Sequence, residues 1–158
     1  MARRPRRKGG TLKDGERRQL AYASRRAGVP LPEVEPGDRV RVLCDGGSRG
    51  NPGPAAVAAV VVGADGAELA RRARRIGRAT AAEAEYRAIL LGLELAAGVD
   101  EIEVRSDSQL AIERLRAGEG PSDVVEAASA FVDVRWEWRP RADIEAVDAL
   151  VRNLLWPG

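Results

Sequence analysis

The spacing of apolar and polar residues changes along the chain, and each regular stretch predicts an element. Residues 39–45 alternate between charged and apolar side chains, as in a strand with one buried face. Residues 55–63 are small or β-branched throughout, which predicts a strand buried on both faces. Asp65 and Gly66 then give the signal of a tight hairpin. The predicted strands are residues 39–45, 55–63, 68–77, 101–106 and 132–139.

Longer apolar patterns predict the helices. Residues 81–97 are apolar nearly all round, which is typical of a buried helix, and Gly98 is expected to end it. The last helix carries a single apolar stripe. The predicted helices are residues 81–97, 107–117, 122–131 and 143–155. This order of elements predicts an α/β fold, with a five-stranded mixed sheet and helices on both faces.

Two patterns indicate which surfaces the predicted strands expose. Trp136 and Trp138 share one strand face, and we expect both to belong to the core rather than to stack on bases. The arginines of residues 71–75 are expected on an exposed strand face. They either bind nucleic acid or protect a sheet edge, and the sequence does not separate these roles.

Charge divides the chain into two parts. Residues 1–37 carry ten Lys/Arg and four Asp/Glu, whereas residues 38–158 carry 16 and 20. We therefore predict a basic N-terminal arm, residues 1–37, with a short helix and a linker, followed by a globular domain, residues 38–156. The arm would attract phosphates without sequence preference. A solubilising tail is the alternative.

The residue types that are missing exclude several chemistries. The chain has no histidine and one cysteine, Cys44, so Ser-His-Asp catalysis, Cys-His catalysis and zinc clusters are excluded. No stretch approaches the roughly 18 consecutive apolar residues of a membrane span, and no apolar secretory signal follows the basic start. We expect a cytoplasmic protein without membrane contact, whose chemistry depends on carboxylates and hard metal ions.

Four acidic residues occupy positions that a structural role explains incompletely. Asp45 follows a strand and precedes two glycines, and Asp107 follows another strand and opens a helix. Glu85 and Asp148 lie in apolar helices. The ordinary alternatives are a turn for Asp45, a helix N-cap for Asp107 and a solvated helix edge for the other two. As a set of oxygen ligands near strand ends, the four predict a magnesium or manganese site.

Four motifs then occur in a recognisable order. They are residues 45–54, 80–88, 106–110 and 139–150, and each contains one of the four acids. The chain from residue 39 to residue 155 resembles type 1 ribonuclease H. The resemblance implies an RNase H-like fold, with residues 38–156 as the catalytic domain. We also expect the protein to be a monomer.

The resemblance also implies an activity. The chain would hydrolyse the RNA strand of an RNA/DNA hybrid with two Mg²⁺ ions, for which Mn²⁺ would substitute, and leave 5′-phosphate and 3′-hydroxyl ends. Asp45 would bridge the ions, and Glu85 and Asp107 would bind the ion near the leaving group. Asp148 would help to hold the ion that activates the attacking water. The positions that match the family's contacts with nucleic acid are Gly46, Ser48, Asn51 and Gln109.

The chain also departs from the family pattern. Ala82 and Ile144 stand where the family often has asparagine, and the basic handle that some members insert after the third motif is missing. Because histidine is absent, the chain is more similar to the histidine-lacking, archaeal-type branch, in which Arg141 would assist at the active site or contact nucleic acid. Two alternatives stay open: a nucleic-acid-binding module with weak or no cleavage, and an enzyme that also cleaves double-stranded RNA and RNA–DNA junctions.

Overall fold

The computed structural model describes residue 34 and residues 38–158. In this part of the chain, five strands form one mixed sheet in the order β3-β2-β1-β4-β5. The strands are β1 (Arg39–Ser48), β2 (Gly53–Val62), β3 (Glu68–Ala79), β4 (Glu101–Ser106) and β5 (Asp133–Trp138). The first three pair antiparallel, whereas β4 lies parallel to both β1 and β5. The predicted mixed five-stranded sheet is confirmed.

Four helices and one short 3-10 turn complete the described fold. They are α1 (Ala81–Leu95), α2 (Gln109–Arg116), α3 (Ser122–Ala128), the 3-10 turn (Arg141–Ile144) and α4 (Glu145–Leu155). The helices are shorter than predicted at several ends. Helix α2 begins at Gln109 rather than at residue 107 because the Ser108 side chain caps it. Residues 143–144 belong to the 3-10 turn that precedes α4.

Helices cover both faces of the sheet, as predicted. One face of β1 and β2 packs against α1 and builds the larger core, in which Val42, Val57 and Ile89 are fully buried. The other face of β2 packs against α4 and the 3-10 turn, through Ala58, Ile144 and other apolar residues. Strand β2 is therefore buried on both faces, which agrees with its continuous apolar sequence.

Two details differ from the predictions. Strand β1 does not end at Asp45 but continues to Ser48, because its last residues remain paired with β2 down to the contact of Ser48 with Ala55. Trp138 is not a core residue: it is 43% exposed, because it ends an edge strand. Trp136, two residues earlier, is partly buried against the larger core.

The predicted basic arm falls almost entirely outside the described residues. Of residues 1–37 only Val34 is described, and it packs against the larger core. The arginines of residues 71–75 are exposed on β3, the edge strand at the other side of the sheet. Among the described helices, none is long and apolar enough to span a membrane.

Candidate active site

The pairing of β1 with β4 brings the first two acids together. The strands run parallel, with Leu43 opposite Arg105, so that two residues further along Asp45 and Asp107 lie at the same level of the sheet. Neighbouring strands are only about 4.8 Å apart. Asp107 follows the last residue of β4, Ser106, at the carboxyl end where α/β sheets carry their sites.

A close contact between backbones places the third acid beside them. A Cβ atom on Gly46 would overlap the carbonyl of Ala84 and lie 2.9 Å from the backbone nitrogen of Glu85. Only glycine allows β1 to approach α1 this closely. The carboxylate of Glu85 therefore projects from the helix onto the strand segment that carries Asp45.

Two residues fix the start of α1, one turn before Glu85. The Thr80 hydroxyl accepts a hydrogen bond from the Glu83 nitrogen at 3.1 Å, which caps the helix, and donates one to the Glu83 carboxylate at 3.1 Å. The amide oxygen of Asn51 accepts a hydrogen bond from the Ala81 nitrogen at 3.0 Å. The loop between β1 and β2 is thereby attached to the helix that carries Glu85.

The carboxylates of Asp45, Glu85 and Asp107 meet at one point. One oxygen from each lies within 4.8 Å of the others. Burial, followed by the charges of Asp107 and Asp148, raises the pKa of Asp45 to about 7. Burial, followed by the charges of Asp45 and Asp107, raises the pKa of Glu85 to about 9. The site thus concentrates more negative charge than its surroundings neutralise, and a bound cation would relieve it.

Ser106 contacts the cluster of three acids, a role that was not predicted from the sequence. Its hydroxyl is buried, donates to the Glu85 carboxylate at 3.4 Å and accepts from the Ser108 nitrogen at 3.1 Å. The hydroxyl thus links the acid on α1 to the residue that caps α2. The alternation of partly exposed and buried positions along β4 could have indicated this role, because it puts Ser106 on the same inward face as Ile102 and Val104.

Asp148 lies next to this group but is held differently. It is buried at the start of α4, and one of its oxygens lies 2.9 Å from Nε of Arg152. Its other oxygen is 3.8 Å from Nε of Arg141, which also donates to the Asp107 carboxylate at 3.2 Å. Arg141 therefore bridges Asp107 and Asp148. The negative charge of Asp148 also acts on the cluster of three acids, since it raises the pKa of Asp45.

The ordinary alternatives for the acids do not hold. Asp45 lies inside β1, paired with Ala58, and is not a turn residue. Asp107 does not cap α2, because Ser108 does. Asp148 is buried rather than at a solvated helix edge, and Glu85 is partly buried. Asp45, Glu85 and Asp107 are thus gathered at one point, and Asp148 lies beside them, linked to Asp107 through Arg141.

The residues predicted to contact nucleic acid have varied surroundings. Gly46 is buried against α1, and the Ser48 hydroxyl oxygen is buried without a hydrogen-bond partner among the described residues. Gln109 is exposed at the start of α2, and its amide nitrogen donates to Glu113 at 3.0 Å. Ala82 is exposed, whereas Ile144 is fully buried in the core beneath α4. Isoleucine at position 144 is thus a packing residue.

The donor set fits a hard divalent cation. The three gathered side chains offer carboxylate oxygens alone, which is the chemistry that Mg²⁺ and Mn²⁺ prefer. The buried thiol of Cys44 does not compete, because burial and the nearby charges of Glu85 and Asp45 raise its pKa and keep it protonated.

Comparison with known proteins identifies the family. A family model described as reverse transcriptase-like matches residues 43–154. The ribonuclease HI of Halobacterium salinarum is 38% identical over 160 residues, which cover 89% of this chain and 80% of that protein. The chain belongs to the ribonuclease HI family. It is accordingly an enzyme of the ribonuclease H class.

Solved structures of ribonuclease H proteins share the fold. The RNase H1 of Halobacterium salinarum has a TM-score of 0.68 and 42% identity, over 74% of this chain and 97% of that one. The N-terminal RNase H domain of Rv2228c from Mycobacterium tuberculosis has a TM-score of 0.70 and 37% identity, over 74% and 98%. LC11-RNase H1, solved in complex with an RNA/DNA hybrid, has a TM-score of 0.68 and 28% identity, over 74% and 96%.

Relatives of the ribonuclease HI family differ in length. The bifunctional protein Rv2228c of Mycobacterium tuberculosis is 39% identical over 129 residues, which cover 74% of this chain but 35% of that protein. The shared part therefore corresponds to the ribonuclease H domain of a longer relative.

Proposed function

We propose that the chain is an endoribonuclease that hydrolyses the RNA strand of an RNA/DNA hybrid. The observation that carries this proposal is the meeting of three carboxylates, Asp45, Glu85 and Asp107, within 4.8 Å at the carboxyl end of parallel strands. Membership of the ribonuclease HI family and the similarity to LC11-RNase H1, which was solved with a hybrid, support the choice of substrate. A module that only binds nucleic acid would gain nothing from acids gathered where phosphate must approach.

The carboxylates would hold two Mg²⁺ ions, with Mn²⁺ as a substitute. Asp45 suits the shared position because the charges of both Asp107 and Asp148 raise its pKa. Glu85 and Asp107 would complete one site and Asp148 the other. Two such ions activate a water molecule and stabilise the leaving oxygen in phosphodiester hydrolysis, which yields 5′-phosphate and 3′-hydroxyl ends.

The protein's own contribution is to hold these acids in place before the substrate arrives. Gly46 fixes the separation of Asp45 and Glu85, and Ser106 orients the Glu85 carboxylate. Such a fixed arrangement lowers the barrier because little reorganisation is needed when charge develops on the phosphate. The exposed guanidinium of Arg141 lies beside Asp107, where it would attract a substrate phosphate.

Recognition of the hybrid would depend on the loop between β1 and β2 and on the start of α2. Asn51 and Gln109 carry amide groups that both donate and accept hydrogen bonds, as contacts with 2′-hydroxyl groups and base edges require. The Asn51 oxygen already accepts a bond from α1. Substrate contact at this loop would therefore be transmitted to the helix that carries Glu85.

The experiment compares three end-labelled duplexes: an RNA/DNA hybrid, double-stranded RNA and double-stranded DNA. Each is incubated with the full chain and Mg²⁺, Mn²⁺ or EDTA. We expect cleavage of the RNA strand of the hybrid with either ion, none with EDTA and none of DNA. Mapping of the product ends tests their chemistry. Cleavage of double-stranded RNA would broaden the substrate class, and failure to cleave the hybrid with either ion would refute the proposal.

A further inference from the structure

Each carboxylate oxygen of Asp148 faces an arginine. Oδ1 lies 3.8 Å from Nε of Arg141, and Oδ2 lies 2.9 Å from Nε of Arg152. By contrast, the oxygens of Asp45, Glu85 and Asp107 face one another. Asp148 therefore differs from Asp45 and Glu85 in having an arginine beside each of its oxygens, and Asp107 shares one of these arginines, Arg141.

The two arginines differ in how firmly they are held. The Arg141 side chain is 71% exposed and lies at the start of the 3-10 turn, and it is shared between Asp148 and Asp107. Arg152 lies on α4, one turn after Asp148, and also approaches the Glu145 carboxylate at 3.4 Å. The i,i+4 spacing places the Arg152 guanidinium beside Asp148 on the same helix.

We propose that Arg152 is an internal counterion of Asp148 that lowers the affinity of this carboxylate for a divalent cation. The inference rests on the proposed function, because it concerns the cation to which Asp148 contributes. A positive charge beside a buried carboxylate opposes a second positive charge there. The three gathered acids would then bind a cation more tightly than the part of the site that includes Asp148, and the two ions would bind in order of affinity.

The test is a titration of metal-free full-length protein with Mg²⁺, followed by calorimetry and by the rise in Tm. Arg152→Gln removes the charge and is expected to tighten the weaker binding step by roughly three- to tenfold, the size of effect that one nearby charge produces in a solvated site. Arg152→Lys retains the charge and is expected to restore the wild-type affinity. An unchanged or weaker affinity in Arg152→Gln would overturn the proposal.

Two controls separate a local effect from a general one. Arg71→Gln makes the same change in net charge at an exposed arginine that pairs with Glu68, and it should leave Mg²⁺ affinity unchanged. In an Asp148→Asn background, Arg152→Gln should no longer tighten binding, because its partner is gone. A shift of equal size in that background would show that Arg152 does not act through Asp148.

Failure of this inference can be distinguished from failure of the proposed function. If the wild type cleaves the hybrid and binds Mg²⁺ but Arg152→Gln leaves the affinity unchanged, only the role of Arg152 is refuted. If the wild type binds neither Mg²⁺ nor Mn²⁺, both proposals are refuted. The exposed position of Arg152 favours a folded variant, which the far-UV circular dichroism of each protein checks.

Discussion

The backbone of Gly46 lies directly against that of Glu85, although 39 positions separate the two residues in the sequence. A Cβ atom at position 46 would lie 2.9 Å from the Glu85 nitrogen and would overlap the preceding carbonyl. This contact sets the distance between strand β1 and helix α1, and so between the acids that they carry.

Gly46→Ala should therefore damage both stability and activity. The added methyl group must push α1 away from β1, which we expect to cost about 1–3 kcal/mol in the free energy of unfolding. Urea denaturation and the rate of hybrid cleavage measure the two effects. Gly47→Ala is the matched control, since its Cβ would lie 3.5 Å from Val151 at ordinary contact distance. Equal behaviour of the two variants would contradict the packing argument.

Ser106→Ala should weaken catalysis without unfolding the protein. The Glu85 carboxylate loses a hydrogen-bond donor, and a bond to a charged group is worth about 1.5–3 kcal/mol. We expect kcat to fall roughly tenfold and KM to change little, because the substrate does not contact this buried hydroxyl. Ser106→Thr keeps the hydroxyl and should recover most of the loss. If alanine and threonine variants were equally impaired, the hydroxyl would not be the important group.

The metal-free protein should lose stability as the pH rises. The pKa values of Asp45 and Glu85 are raised to about 7 and about 9 in the folded state, above their ordinary values of 3.8 and 4.5. The folded state therefore binds more protons, so this stability is present below about pH 4 and is lost as the pH passes through 7 and 9. A tenfold difference in proton affinity corresponds to about 1.4 kcal/mol.

Thermal unfolding in EDTA between pH 5 and pH 9 measures this loss, and we expect Tm to fall by several degrees. Saturating Mg²⁺ should make Tm fall less steeply with pH, because the cation replaces the protons on the carboxylates. Asp45→Asn should also make this fall in Tm smaller, since one of the two coupled carboxylates is removed. A Tm in EDTA that rises over this range would contradict the electrostatic description of the site.

The basic arm leads to a prediction that concerns substrate binding. Deletion of residues 1–30 removes its ten Lys/Arg but keeps Val34, which packs against the core. If the arm binds phosphates, KM for the hybrid should rise and depend less steeply on salt concentration. Steady-state kinetics at several KCl concentrations test this. An unchanged KM with the same salt dependence would favour the solubilising tail.

Much of this fold follows from short-range pattern. The alternation of residues 39–45 predicts a strand with alternating burial, the apolar run of β2 predicts a strand buried on both faces, and both are observed. Strand ends were harder to predict: β1 extends to Ser48 because β2 continues to pair with it, which its own residues do not reveal. Trp138 was misassigned because exposure at the end of an edge strand depends on what covers that edge.

The site was predictable in its acids but not in their partners. The sequence alone predicted the three acids that the structure brings together, because each lies in a recognisable motif: Asp45, Glu85 and Asp107. The pairing of Asp148 with Arg141 and Arg152 was not predicted, although the i,i+4 spacing of Asp148 and Arg152 was visible in the sequence. That spacing is common on solvated helices, so it indicates a role in the site only once Asp148 is known to be buried.

The most direct test of the central claim is cleavage of the RNA/DNA hybrid by variants that replace an acid inside the gathered group or an acid outside it. Asp45→Asn and Glu85→Gln each remove one of the gathered carboxylates, whereas Glu83→Gln changes an exposed acid in the first turn of the helix that carries Glu85. With saturating Mg²⁺, we predict that the first two variants lose roughly a hundred- to a thousandfold in kcat, the size expected when a group that stabilises developing charge is removed. Both should still bind the hybrid, and Glu83→Gln should cleave it like the wild type. Hybrid cleavage at the wild-type rate by Asp45→Asn would contradict the central claim.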